Sequence, residues 1–291
     1  MPNLRRIQVL AWQPLHENHS IESVSASVNF AEPLTEIIWR KAVREVEAKA
    51  GAMGLSERDA VNAFQIAIGA NAIGLASPSI DIGQIGLPSQ IESVRIARSH
   101  IDEASGQKRA AESISIGRQV ITYQSTTYTR WAAYSERLNE LFGAALDVSL
   151  GAVRPAVLRL EYKDSFRFDG AGEPLVSGFL KDVSPLIAKH VFDKTDLWHS
   201  HTGFFEKSDR SDQRLIQINL DANNVVHVAQ RETARLVNIM TAVQENFHAW
   251  PEDKEITAGE LLGIFESMHQ RCTEVFREVV SPETAKRIGL T

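Results

Sequence analysis

The chain has 291 residues, and 31 Lys and Arg against 37 Asp and Glu leave a formal charge of −6 at pH 7. Hydrophobic residues make up 43% and charged residues 23%, with one cysteine, which excludes disordered, collagen-like and disulfide-scaffold chains. At ~150 residues per domain, this is one large domain or two ordinary ones. Residues 24–30 alternate apolar and small polar side chains, the period of a half-buried strand. Glu32-Pro33 breaks that pattern, and a helix is expected over 34–51 with Trp39, Val43, Val46, Ala50 and Met53 on one stripe. Strands are expected at 64–68, 94–101 and 114–123. A second helix is expected from about Thr127, with Trp131, Tyr134, Leu138, Leu141, Phe142 and Ala145 at helical spacing.

After Leu150-Gly151 the order restarts. A strand is expected at 157–162, a short helix at 183–192, and strands at 197–205, 215–220 and 236–247. The last long helix opens with Thr257-Ala258-Gly259-Glu260, a capping box in which the Thr and Glu side chains satisfy each other's backbone N–H groups. Its buried stripe is Leu261, Phe265, Met268, Cys272, Val275 and Val279. Ser281-Pro282 begins a final short helix that Gly289 closes. Each half reads strand–helix–three strands–helix. The expected fold class is therefore α+β: two tandem halves, 1–150 and 151–291, with antiparallel strands covered by helices. The halves are expected to share one sheet as a continuous domain. The repeat is one of element order, not of residue identity. Segment 69–90 is apolar and glycine-rich, with Asp81 its only charge, and reads as a loop over the core, a lid or a docking segment.

The charge argues against nucleic acid as a partner. Residues 1–150 carry 14 basic and 16 acidic side chains and 151–291 carry 17 and 21, so neither half is cationic. The densest basic stretch, Arg95, Arg98, Lys108 and Arg109, is interrupted by Asp102 and Glu103. The apolar run from Ile7 to Trp12 is too short for a signal peptide, and no run of ~18 apolar residues occurs, so no membrane contact and a cytoplasmic location are expected. Gly69 and Gly74 have phosphate-loop spacing without the following Lys-Ser/Thr pair. Cys272 lies on an apolar helix stripe one turn from His269 and reads as a core residue.

The most concentrated polar constellation is at 197–206. On a strand His199 and His201 project to the same face, where two imidazoles and a carboxylate can ligate zinc. The stretch Trp198-His199-Ser200-His201 with Gly203, Phe204 and Asp212 resembles the JAMM-type zinc isopeptidases, whose aspartate stands eleven residues past the second histidine. The resemblance implies His199, His201 and Asp212 as zinc ligands and Glu161 as general base. Thr202 and Asp209 stand where that family has proline and serine. A second resemblance covers more of the chain. The carrying stretches are Ile121-Thr122-Tyr123 through Trp131, Leu158 to Tyr162, Ile264 to Phe276, and Ser281-Pro282 to Gly289. They are similar to a sporadically distributed family of uncharacterised bacterial proteins, and that occurrence implies mobile or defence-linked genes.

The leading expectation is a soluble bacterial interaction or ligand-binding protein that works without catalysis or cofactor. Its surface would include Gln217, Asn219 and Asp221, which alternate with Ile216, Ile218 and Leu220 and share a strand face near His199 and His201. A protein partner or self-association is preferred over a small molecule. The alternative is a zinc-dependent hydrolase using His199, His201 and Asp212.

Overall fold

The computed structural model describes residues 11–16, 19–62, 91–101, 106, 108–227, 232–248, 250 and 255–290. The strand expected at 64–68 and the glycine-rich segment 69–90 lie outside them. The elements in chain order are β1 (Trp12–Pro14), β2 (Ile21–Phe30), α1 (Glu36–Ala52), β3 (Glu57–Asn62), β4 (Ile91–Ile101), β5 (Lys108–Gly117) and β6 (Val120–Ser125). There follow α2 (Trp131–Ser149), β7 (Pro155–Phe168), a 3-10 turn (Lys189–Asp193), β8 (His199–Glu206), β9 (Gln213–His227), β10 (Glu232–Asn246), α3 (Ala258–Val279) and α4 (Pro282–Arg287). All ten strands form one antiparallel sheet in the order β3-β4-β5-β6-β2-β7-β10-β9-β8, and β1 pairs with the end of β7.

The order is mirrored about the β2–β7 pair. On each side the first strand of the half is flanked by the last strand of its own meander, so β6 sits beside β2 and β10 beside β7. The α+β architecture is the one expected, and the sheet runs without a break across residue 150. Two local expectations are corrected, and one strand had not been expected. Segment 114–123 is not one strand: Arg118 and Gln119 turn the chain between β5 and β6. Both arms carry β-branched side chains, which hid a two-residue turn. Strand β3, Glu-Arg-Asp-Ala-Val-Asn, lacks the apolar alternation that would have announced it. In place of the helix expected at 183–192 there is only the short 3-10 turn Lys189–Asp193.

The pleat sorts side chains into two opposite kinds of row. One row of cross-strand partners reads Phe204, Ile216, Val243, Leu160, Ala26, Tyr123, Ile114 and Ile96 from β8 to β4. From Ile216 onward each of these is buried. The helices lie on this face: α1 packs on α2 and on β4 and β5, α2 on β6, and α3 on α2, β7 and β10. Trp39 of α1 donates its indole N–H to the Ile116 carbonyl at 2.9 Å, and Phe142 and Phe265 meet edge-to-face between α2 and α3. The expected stripes are the ones buried, including Leu138, Leu141 and Ala145 on α2 and Leu261, Met268 and Cys272 on α3. Thr257 and Glu260 form the capping box, and Thr35 and Ser281 cap α1 and α4.

Helix α3 is also tied down by charge. Glu206, Arg214 and Glu245 are cross-strand neighbours on β8, β9 and β10 at the lower edge of the helix-covered face. Arg214 reaches buried Glu245 at 2.6 Å, while Arg271 of α3 forks onto both Glu206 oxygens at 2.9 Å. Burial pushes the Glu206 carboxyl up, but Arg271 and Arg214 outweigh it and hold the group below its ordinary value. Leu160 has no solvent exposure at the middle of the sheet, between Ala26 and Val243. Leu160→Ala is expected to cost about 2–5 kcal/mol of unfolding free energy, read from urea denaturation, because a site between fixed strands cannot collapse around the void.

Candidate functional site

The face opposite the helices is polar. One row reads Phe205, Leu215, Gln244, Arg159, Ser27, Thr122, Ser115, Arg95 and Asp59, one residue from each of nine strands. The neighbouring row reads Gly203, Gln217, Ala242, Glu161, Ser25, Gln124, Ser113, Ala97 and Glu57. Arg159, Ser27, Thr122 and Ser115 are half-buried at the centre of the sheet, and Phe205 is 59% exposed at its edge. Several of the charges here are paired. Arg159 forks onto Glu161 at 2.8 and 3.2 Å and also donates to Gln217 and Gln244. Lys163 meets Glu22 at 2.9 Å, and Lys108 meets Glu57 at 2.9 Å.

Of the residues singled out in the sequence, all but Asp212 fall on this face, though not at one point. His199 and His201 lie side by side on β8 with ring centroids 5.3 Å apart, opposite Asp221 and Asn219 of β9. Gln217, Asn219 and Asp221 do share the face, all half-buried. The carboxylate that reaches the histidines is Asp221, whose Oδ1 lies 3.0 Å from His201 Nε2. Asp212 precedes β9 and sits seven residues from Asn219, a separation of ~23 Å along an extended strand. Its Oδ2 accepts the His248 backbone N–H at 2.6 Å. Glu161 is three strands from β8, ~14 Å across the sheet. The structure therefore does not bring Asp212 or Glu161 to the histidine pair. Among the described residues no group of three or more His, Cys, Asp and Glu side chains is arranged to hold a metal ion.

A second constellation lies on the helix-covered face. Glu112 of β5 points inward, 2% exposed, beside Ser125 of β6 and Arg98 of β4. Arg137 of α2 donates to both Glu112 oxygens, Tyr123 donates its hydroxyl at 2.7 Å, and Arg98 Nη2 approaches at 3.4 Å. Glu112 in turn raises the Arg137 pKa still further, and burial pushes the Tyr123 hydroxyl up with Glu112 adding to it. A cavity of about 170 Å³ opens against this cluster, lined also by Ser125, Thr127, Tyr128, Thr129 and Tyr134. Ser125 accepts the Thr127 backbone N–H at 3.2 Å, which fixes the bend leading into α2.

Behind the cavity the polar chain continues. Tyr128 packs against Tyr134, Tyr162 and His19, and the Tyr162 hydroxyl lies 2.9 Å from His269 Nδ1. Burial lowers the His269 pKa, and Trp131 stacks on its ring at 4.3 Å. His269 therefore faces Tyr162 rather than Cys272. The Cys272 thiol is buried, pushed up by desolvation and directed at the Leu160 carbonyl, the core role expected of it. Asp164 of β7 is 4% exposed, and burial raises its carboxyl to about 7, opposed by a 2.6 Å hydrogen bond from Ser20 Oγ.

None of Glu112, Arg137, Tyr128 and Asp164 was singled out from the sequence. The available signal was a charge in an inward register: Glu112 shares the period of Ile114 and Ile116, and Asp164 that of Leu160, Tyr162 and Phe166. The chain matches no protein-family model and no curated protein. Between pH ~4 and 7 the folded chain holds the Asp164 proton that the unfolded chain has released, so this group makes stability fall as pH rises through that window. Asp164→Asn removes the penalty while keeping an acceptor for Ser20. Its melting temperature is expected to exceed that of the parent at pH 8, with the difference shrinking toward pH 4. A difference independent of pH would refute the assignment.

Proposed function

We propose that this chain is an interaction protein that works without catalysis, and that its open sheet face meets a second copy of the chain. The observation that carries this reading is the pair of polar rows spanning nine strands on the face away from the helices. Eight inter-strand spacings make the face ~38 Å wide, the scale of one side of a standard protein interface. Its central charges are paired within the chain, Arg159 with Glu161 and Lys163 with Glu22, which leaves little field there for a polyanion. A patch without net excess of one charge does not repel its own copy, which a two-fold interface requires. Phe205 and Leu215, adjacent at the β8 edge, supply an apolar contact at the margin.

The nearest competing chemistry, zinc hydrolysis at His199, His201 and Asp212, has no supporting geometry among the described residues, since Asp221 occupies the position beside His201. No helix among the described residues is long and apolar enough to cross a membrane.

Sedimentation velocity on the purified chain at tens of micromolar is expected to show a dimer. Ser27→Arg places an unpaired cation beside Arg159 at the centre of the face and is expected to weaken association at least about tenfold. Its melting temperature should remain near that of the parent, because Ser27 is outside the core. A monomeric parent chain, or a Ser27→Arg chain that dimerises equally well, would overturn the proposal.

A further inference from the structure

We propose that the cavity between β4, β5, β6 and the start of α2 binds the phosphoryl group of a small ligand. The site is on the helix-covered side of the sheet and is independent of the proposed docking face. Its wall carries two arginines, Arg98 and Arg137, and one carboxylate, Glu112, so its balance is cationic. The carboxylate is already saturated: Arg137 Nε and Nη2 and the Tyr123 hydroxyl all donate to it. That pairing fixes the Arg137 fork against the cavity wall. The outer arginine is less committed. Arg98 spends only Nη2 on Glu112, at 3.4 Å, and its side chain is half-exposed. One Nη2 hydrogen and both Nη1 hydrogens remain for an incoming anion, and the Nη1–Nη2 edge suits bidentate recognition of phosphate oxygens.

Hydroxyls complete the donor set. Thr127 and Thr129 lie on the exposed bend before α2, and Ser125 beneath them is buried and hydrogen-bonded to that bend. The volume fits the assignment. Roughly 10–15 Å³ of such space accommodates one water, so about 170 Å³ takes a group of several heavy atoms. It is smaller than the ~300 Å³ lower bound of pockets that engulf a whole drug-sized ligand. One charged group enters, and the remainder of the ligand stays at the mouth. The groups here hold an anion rather than transform one: arginines stay protonated, and burial raises the Tyr128 hydroxyl to about 12.

The test titrates the intact chain with inorganic phosphate by calorimetry and follows its melting temperature, at ionic strength matched with chloride. Acetate is run as a second arm. Saturable one-site phosphate binding with a rise in melting temperature is expected. Arg98→Gln is expected to weaken it at least about tenfold, and Thr129→Val by a smaller factor. Arg40→Gln, on the exposed face of α1 where Arg40 pairs with Glu36, should bind like the parent. Both Arg98 and Thr129 are exposed, so their variants should fold, and the melting temperature in chloride checks this. Absence of phosphate binding, equal binding by Arg98→Gln, or an equal response to acetate would overturn the proposal.

Discussion

The antiparallel pairing of β2 with β7 is the interaction on which the rest of the molecule depends. It runs from Ile21–Asp164 to Phe30–Pro155 and joins two meanders that otherwise share no strand. Its register sets the faces of everything outward. With Ala26 opposite Leu160, the inward row continues through Tyr123 and Ile114 on one side and Val243 and Ile216 on the other. A slip of one residue would exchange Leu160 for Arg159 in the core and reverse both surfaces. The polar face and the helix-covered cavity are thus two consequences of one register.

The same register explains how polar groups come to be inside. Among the described residues three buried carboxylates occupy inward positions, Glu112 on β5, Asp164 on β7 and Glu245 on β10, and they meet two different solutions. Glu112 is held by Arg137, and Glu245 by Arg214 and Ser211, so their charge is compensated by fixed donors. Asp164 has a hydroxyl instead of a cation, and its carboxyl moves toward neutrality. Compensated charges of the first kind are costly to dismantle and so pin elements together. Glu206 and Arg271 do this between β8 and α3, and Arg137 does it between α2 and β5.

Much of the architecture was legible in the residues. Alternation at 24–30, the helix stripes and the Thr257 capping box all correspond to elements, because each rests on local periodicity or a local hydrogen bond. The β5–β6 turn was missed: its one marker, Gly117, closes β5, and Arg118-Gln119 carries no glycine, proline or asparagine. The site was read less well, and for a physical reason. Spacing on one strand correctly set His199 beside His201 and aligned Gln217, Asn219 and Asp221. Whether Asp212 could join them depended on how far β9 extends: it begins at Gln213, so Asp212 lies near Asn246 at the far end of the strand. Glu112 and Arg137 are 25 residues apart and meet only through the packing of α2 on β5, information that no local pattern carries.

One sheet, seamed at β2–β7, is expected to make 1–150 and 151–291 a single cooperative unit. Native-state hydrogen exchange on the backbone amides of Ala26, Val28, Leu158 and Leu160 tests it most directly. These amides are expected to exchange only through global unfolding, with the same free energy and the same denaturant dependence on both strands. Exchange of β2 and its meander at a lower free energy, while β7 to β10 stay protected, would contradict it.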